Sequence, residues 1–106
     1  MTDELRDLYQ EVLLDQGLAL RILGEIHRKT GSFDEAKRIL QRSLLILKDL
    51  GSEYEVAKTM LVQIHLALER GWEIDRSQLE IARQTFEKVG AQADLREVHS
   101  LDELLG

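Results

Sequence analysis

Four glycines recur at regular intervals along the chain, and their spacing limits the folds that the chain can adopt. Gly31 and Gly71 are 40 residues apart, and Gly51 and Gly90 are 39 residues apart. A glycine after a run of helix-forming residues is a common helix stop, because glycine accepts a left-handed backbone without strain. A period of about 20 to 50 residues is typical of stacked supersecondary units. The spacing therefore predicts a helix-turn-helix unit that occurs twice.

The segments between the glycines have the pattern of amphipathic helices. Apolar residues recur every three or four positions, and no segment alternates with the period of two that a half-buried strand requires. Start signals of the S-x-x-E type, or close to it, begin at Ser32, Ser52, Asp75 and Ser100. We therefore expect an all-α chain of five to six helices.

The chain has the length of one domain, and its helices divide it into four predicted parts. These are a leading helix over 1–14, a first repeat over 15–51, a second repeat over 52–90 and a terminal capping helix over 91–106. The boundary at 15–17 depends on Asp15 as a cap and Gly17 as a break. A glycine inside a helix costs only about 1 kcal/mol, so one long helix is the alternative. Trp72 is expected to close over one end of the core.

Composition excludes several classes of protein. The chain has no cysteine, which rules out disulfide scaffolds, zinc–thiolate sites and cysteine nucleophiles. Its net charge of −6 opposes binding to nucleic acid, which draws its affinity from basic side chains. No apolar run reaches the roughly 18 to 20 residues of a membrane span, and the acidic start is unlike a secretory signal. We expect a cytoplasmic protein without a nucleic-acid or membrane partner.

Candidate catalytic and metal-binding groups are sparse. His27, His65 and His99 are the only histidines, and no two are three or four residues apart, as two ligands on one helical face would be. The paired acids fall at predicted helix starts, where the helix dipole favours negative charge. No glycine-rich phosphate loop occurs. The sequence predicts no catalytic residue, no metal and no cofactor, and hence a protein that is not an enzyme.

One stretch resembles a known repeat. Residues 20–27 read Leu-Arg-Ile-Leu-Gly-Glu-Ile-His, and Gly31, Ala36, Leu40 and Ser43 follow. This pattern resembles the tetratricopeptide repeat, which has a large residue, a Leu-Gly pair, an aromatic residue, a glycine and an alanine at fixed offsets. Gly24 stands in the Leu-Gly pair, Gly31 at the turn and Ala36 at the small contact position. His27 stands where the family has tyrosine.

The second repeat departs further from the family. Gly71 keeps the turn and Ala82 a small position, but Ile64 stands where Gly24 stood and Asp75 replaces the alanine. The resemblance covers roughly residues 16–90, and the period is longer than the family's usual ~34 residues. The chain is thus similar to the longer, degenerate repeats at the ends of multi-repeat regulatory ATPases, nucleotide cyclases and transcription regulators.

The resemblance implies a fold and a mode of binding. Antiparallel helical hairpins would stack as a short right-handed solenoid, and the first helix of each repeat would line a concave groove for a peptide. The groove residues that it implies are Arg21, Glu25, Arg28, Lys29, Lys58, Leu61, His65 and Leu68. The family's lysine and asparagine clamp for a terminal carboxylate is absent, because the chain contains no asparagine. The expected function is a protein-interaction scaffold that binds through the groove or an end face.

Small residues support close helix packing without any reference to the family. Gly24, Ala36 and Ala57 remove side-chain bulk where two helices cross. This allows the helix axes to approach more closely than the usual distance of about 8 to 10 Å. Leucine and isoleucine then fill the ridges around them.

Two other functions stay open. The run from Leu44 to Leu47 covers the whole circumference of a helix, so neighbouring helices bury it on both sides or a second copy covers Leu45 and Ile46. The chain would then be a self-associating homodimer domain of a larger signalling or regulatory protein. A DNA-binding helix-turn-helix regulator is a further alternative, which the acidic balance and the 40-residue period oppose.

Overall fold

The chain folds into five α-helices without any strand among residues 2–106, which are the residues that this computed structural model describes. The helices are α1 (Asp3–Lys29), α2 (Phe33–Asp49), α3 (Glu53–Arg70), α4 (Arg76–Val89) and α5 (Gln92–Leu105). The prediction of an all-α chain with five to six helices is confirmed.

The four glycines end the first four helices in the same way. Gly31, Gly51, Gly71 and Gly90 have φ values of 86°, 68°, 68° and 73°, the left-handed region that glycine adopts readily. After each one, the next residue's N–H donates to the carbonyl five residues back, as Trp72 does to Ala67 at 2.9 Å. This bond is the 6→1 bond of a Schellman cap. The predicted helix stops are confirmed.

The predicted helix starts are only partly correct. Ser32 and Ser52 stand at the N-caps of α2 and α3, but neither side chain makes a capping hydrogen bond. Asp75 does cap α4, because its carboxylate accepts from the backbone N–H of Ser77 at 3.0 Å. Ser100 does not begin a helix; it lies inside α5, where its hydroxyl donates to the carbonyl of Arg96.

The predicted break at residues 15–17 is wrong, because α1 is one helix from Asp3 to Lys29. Gly17 is buried, and a Cβ added there would lie 2.8 Å from Leu47 Cδ2 on α2. The hydroxyl of Ser43 donates to the Gly17 carbonyl at 2.7 Å. Glycine at this position therefore admits a neighbouring helix rather than ending its own, and residues 3–14 belong to the same helix as the start of the predicted first repeat.

The helices pack as antiparallel neighbours around small residues. Gly17 lies against Leu47 and Gly24 against Leu40, so α1 and α2 run in opposite directions. A Cβ on Gly24 would lie 2.6 Å from Leu40 Cδ2, which confirms the predicted close approach at this glycine. Ala36 is fully buried in the same region.

The five helices form two layers. Helix α2 packs against α1 and α3, α4 packs against α3 and α5, and α1 also contacts α3. Three clusters of buried apolar side chains fill the space between the layers, and the largest surrounds Phe86. Trp72 packs against the cluster that contains Leu40 and Leu66, which confirms that it closes over one end of the core.

Burial by neighbouring helices accounts for most of the apolar run in α2. Leu44 and Leu47 are buried, and Ile46 is half-buried beside Gly17. Leu45 alone remains exposed. None of the helices within residues 2–106 has both the length and the hydropathy that crossing a membrane requires.

Candidate interaction surface on helices α1, α3 and α5

Ion pairs join α1 to α3 at two levels. Arg21 donates to the carboxylate of Glu55 at 2.5 Å and to the backbone carbonyl of the same residue at 3.3 Å. About two helical turns further along α1, Arg28 pairs with Glu69, which lies about four turns beyond Glu55 on α3. Both arginines are mostly covered, with 15% and 16% of their side chains exposed. The two helices therefore lie side by side with their charged groups paired.

Polar contacts join α3 to α5 in the same manner. The ammonium group of Lys58 lies 3.5 Å from the Asp94 carboxylate, which also accepts a hydrogen bond of 2.6 Å from the Tyr54 hydroxyl. His65 Nε2 lies 2.6 Å from Glu97. Helix α3 is thus flanked by α1 on one side and α5 on the other. We call the surface that these three helices share the α1–α3–α5 face.

The hydrogen bond from Tyr54 perturbs its titration. Donation to the Asp94 carboxylate raises the pKa of Tyr54 above its usual value, and burial adds to this effect, whereas the charge of Lys58 acts in the opposite direction. The ring of Tyr54 also packs edge-on against Phe86, with 5.7 Å between the ring centroids. Tyr54 therefore connects the polar face to the core.

Four of the eight predicted groove residues lie on the α1–α3–α5 face in polar contacts between helices: Arg21, Arg28 and Lys58 in ion pairs, and His65 in a hydrogen bond. Lys29 is exposed at the end of α1, and Glu25 is partly exposed on the same helix. The four paired residues on this face indicate where a ligand could lie. The role of all the predicted groove residues in binding stays a prediction.

The two predicted leucines lie deeper than expected. Leu61 is only 3% exposed and packs with Ala57, Ile64 and Phe86, so its assignment as a partner-binding residue is wrong. Leu68 is half-buried against the same cluster. The reason is that this side of α3 faces the core, where side chains of α4 and α5 such as Phe86 and Leu101 complete the cluster.

The acidic partners on this face were missed by the sequence analysis. Glu55, Glu69, Asp94 and Glu97 each pair with a basic residue between 32 and 41 positions away. This separation is close to one repeat period. Opposite charges one period apart on the first helices of the repeats were therefore the signal that could have found them.

The rest of the described surface lacks a constellation of reactive groups. No group of three or more His, Cys, Asp or Glu side chains within residues 2–106 is arranged to hold a metal ion. A shallow, open depression of about 360 Å³ lies between the end of α2, the start of α3 and α4, where Lys48, Glu53, Ile81 and Lys88 are among the lining residues. Its walls mix exposed charges with one or two apolar side chains.

Comparison of the chain with protein-family models, with curated proteins and with solved structures finds no match. The resemblance to tetratricopeptide repeats therefore stays a prediction that depends on the residues quoted for it.

Proposed function

We propose that this chain is a non-enzymatic protein-interaction module of the tetratricopeptide kind, which binds a peptide segment along the α1–α3–α5 face. The observation that carries this proposal is the set of ion pairs between neighbouring helices. Because they join α1 to α3 and α3 to α5, the exposed side chains of three helices form one continuous surface. The absence of cysteine fits a cytoplasmic setting, where thiols stay reduced.

The ion pairs also indicate the chemistry of the ligand. Lys58, His65 and Glu69 follow one another along α3 and are each between 35% and 41% exposed. Exposed ion pairs stabilise a protein by only about 0 to 1 kcal/mol, so a ligand that supplies its own charges can replace them at little loss. A peptide with both acidic and basic side chains fits this surface better than a uniformly charged one.

Selection of peptides from a displayed library against the full chain, followed by affinity measurements, tests this proposal. Lys58→Ala should lower the affinity of the chain for a selected peptide by about tenfold. The matched control is Lys88→Ala, which removes an exposed lysine of α4 that is paired with Glu53. The affinity of the Lys88→Ala variant for the same peptide should stay within about twofold of that of the unaltered chain.

The location of binding is checked by NMR with the same peptide. Amide shifts should be confined to α1, α3 and α5. Shifts centred on α2 and α4, or equal losses of affinity in the two lysine variants, would contradict the proposal.

A further inference from the structure

Helix α1 carries a second apolar surface on the side that faces away from the core. Seven large apolar side chains on this helix are between 40% and 64% exposed: Leu5, Leu8, Tyr9, Val12, Ile22, Leu23 and Ile26. At about 100° per residue, these positions fall within a sector of roughly 140°, which excludes the buried Gly17 and Gly24. We call this set the α1 stripe. It runs for about 32 Å along the helix.

The two ends of the molecule differ in the polarity of their outer helices. The exposed residues of α5 are Gln92, Ala93, Arg96, Glu97, His99, Ser100, Asp102, Glu103 and Leu104, which include a single large apolar side chain. A large exposed apolar patch marks an interaction surface. The outer side of α5 has no such patch, whereas that of α1 does, so the α1 stripe needs a cover.

The size of the α1 stripe matches a stable protein interface. Each of its side chains leaves on the order of 100 Å² exposed, so the stripe offers roughly 700 Å². Apolar patches on typical monomers reach about 300 to 600 Å². A standard interface buries about 800 Å² on each partner. One helix of similar length and polarity would cover the stripe.

The charges at the two ends of α1 indicate which helix covers the α1 stripe. The first turn of α1 is acidic, with Asp3 and Glu4, and its last turn ends on the exposed Lys29, since Arg28 beside it is already paired with Glu69. Two copies of α1 side by side in opposite directions bring each acidic start against the other copy's basic end. Two copies in the same direction bring like charges together, which is unfavourable.

We infer that a second copy of this chain covers the α1 stripe, in an antiparallel α1–α1 pair centred between Asp15 and Gln16. In this register, Leu5 meets Ile26 of the second copy, and Val12 meets Ala19. The inference does not depend on peptide binding at the α1–α3–α5 face, because the stripe points away from the core and from α3. Self-association through Leu45 and Ile46, by contrast, has only one exposed side chain to support it.

Light scattering across a hundredfold range of concentration tests the pairing. The unaltered chain should be a dimer, and the double variant Val12→Glu, Ile22→Glu should be a monomer. Leu45→Glu is the matched control, since Leu45 is 53% exposed on α2, outside the α1 stripe. All three positions are exposed, so each variant should keep its helical circular dichroism. A monomeric unaltered chain, or a dimer lost only in Leu45→Glu, would overturn the inference.

Single cysteines test the direction of the helices, because the chain has none of its own. Gln16→Cys should form a disulfide-linked homodimer, since its Cα atoms meet near the symmetry axis. Leu8→Cys should not cross-link with itself but should form a mixed disulfide with Leu23→Cys. A homodimer of Leu8→Cys without the mixed product would indicate parallel helices and overturn the antiparallel arrangement.

Discussion

At Gly24, helix propensity and tertiary packing favour different residues. Inside a helix, alanine is more favourable than glycine by about 0.5 to 1 kcal/mol, because glycine loses more backbone entropy on folding. Yet a Cβ on Gly24 would lie 2.6 Å from both Cγ and Cδ2 of Leu40, which is fully buried and has no space to retreat. Packing between α1 and α2 therefore determines the residue at this position.

Gly24→Ala should lower the free energy of unfolding by about 1 to 3 kcal/mol, the usual effect of overpacking a core. Arg42→Gly at an exposed interior position of α2, outside the α1 stripe, is the control, and it should destabilise by about 0.5 to 1 kcal/mol. Chemical denaturation measures both. A stabilised Gly24→Ala variant would show that propensity outweighs the close approach.

Tyr54 gives a residue-scale prediction that depends on pH. Its neutral hydroxyl donates to Asp94, and this bond raises the pKa of Tyr54 above its ordinary value near 10. The stability that the bond contributes is therefore fully present below about pH 10 and is lost as the pH rises through the folded-state pKa.

The absorbance of the phenolate at alkaline pH measures this titration. In a Tyr9→Phe background, Tyr54 is the only tyrosine, because the chain has two. Asp94→Asn should lower the pKa of Tyr54 toward its ordinary value by removing the strongest cause of the shift. An unchanged titration curve in that variant would contradict the assignment of the shift to Asp94.

At the scale of the helices, the local signals in the sequence were sufficient for the ends but not for the interior of α1. Gly71 and Gly90 end their helices through backbone conformation, which depends only on nearby residues. Gly17 has a different role, because the reason for it lies on α2, 30 positions away at Leu47. Asp15 is a possible cap residue and Gly17 follows two positions later, a pattern that fits a helix boundary as well as a close approach between helices. One sequence therefore could not separate these two roles of the glycine.

The residues of the candidate surface also divide into those that the sequence pattern predicted and those whose environment depends on tertiary packing. Basic residues such as Arg21 and Lys58 were placed on one face by the repeat pattern, and they lie there. The burial of Leu61 could not be predicted, because it depends on how α4 and α5 pack against α3. The apolar spacing of residues 5–13 predicts one face of an amphipathic helix, yet Leu5, Leu8, Tyr9 and Val12 on that face are all exposed. Periodicity identifies an apolar face but not what covers it.

The first three turns of α1 give a prediction at the element scale. Every residue from Thr2 to Val12 is exposed, so in a single copy these turns are held mainly by their own backbone bonds. Short helices without tertiary support are only marginally stable in water. Their amide protons should exchange quickly in the monomeric variant Val12→Glu, Ile22→Glu and slowly in the unaltered dimer. Equal exchange in both would mean that no second copy protects this segment.

For the whole molecule, the central position of α3 predicts an uneven distribution of stability. Helix α3 contacts α1, α2 and α4 and makes polar contacts with α5, whereas α5 has neighbours on one side only. In quasi-one-dimensional stacks, end units open before central ones. We therefore expect the amides of α3 to exchange most slowly and those of α5 to open first.

Two leucine variants test this order, because Leu66 in α3 and Leu101 in α5 are both 2% exposed. Leu66→Ala should lower the free energy of unfolding by about 2 to 5 kcal/mol and accelerate exchange in all five helices. Leu101→Ala should accelerate exchange chiefly in α5 and in the part of α4 that it covers. If Leu101→Ala accelerates exchange in α1 and α2 equally, the chain unfolds as one cooperative unit.

The difference in polarity between α1 and α5 also limits how large an assembly can become. A module with apolar surfaces at both ends would bind head to tail, and such heterologous contacts extend into filaments unless the rotation closes a ring. Here the longest row of exposed apolar side chains lies on α1, and the proposed pairing of that helix with its own copy is isologous, so the contact would be used up when two copies meet. The polar outer side of α5 would then stop growth at two, and both α1–α3–α5 faces would stay free for the proposed ligands, held at a fixed separation.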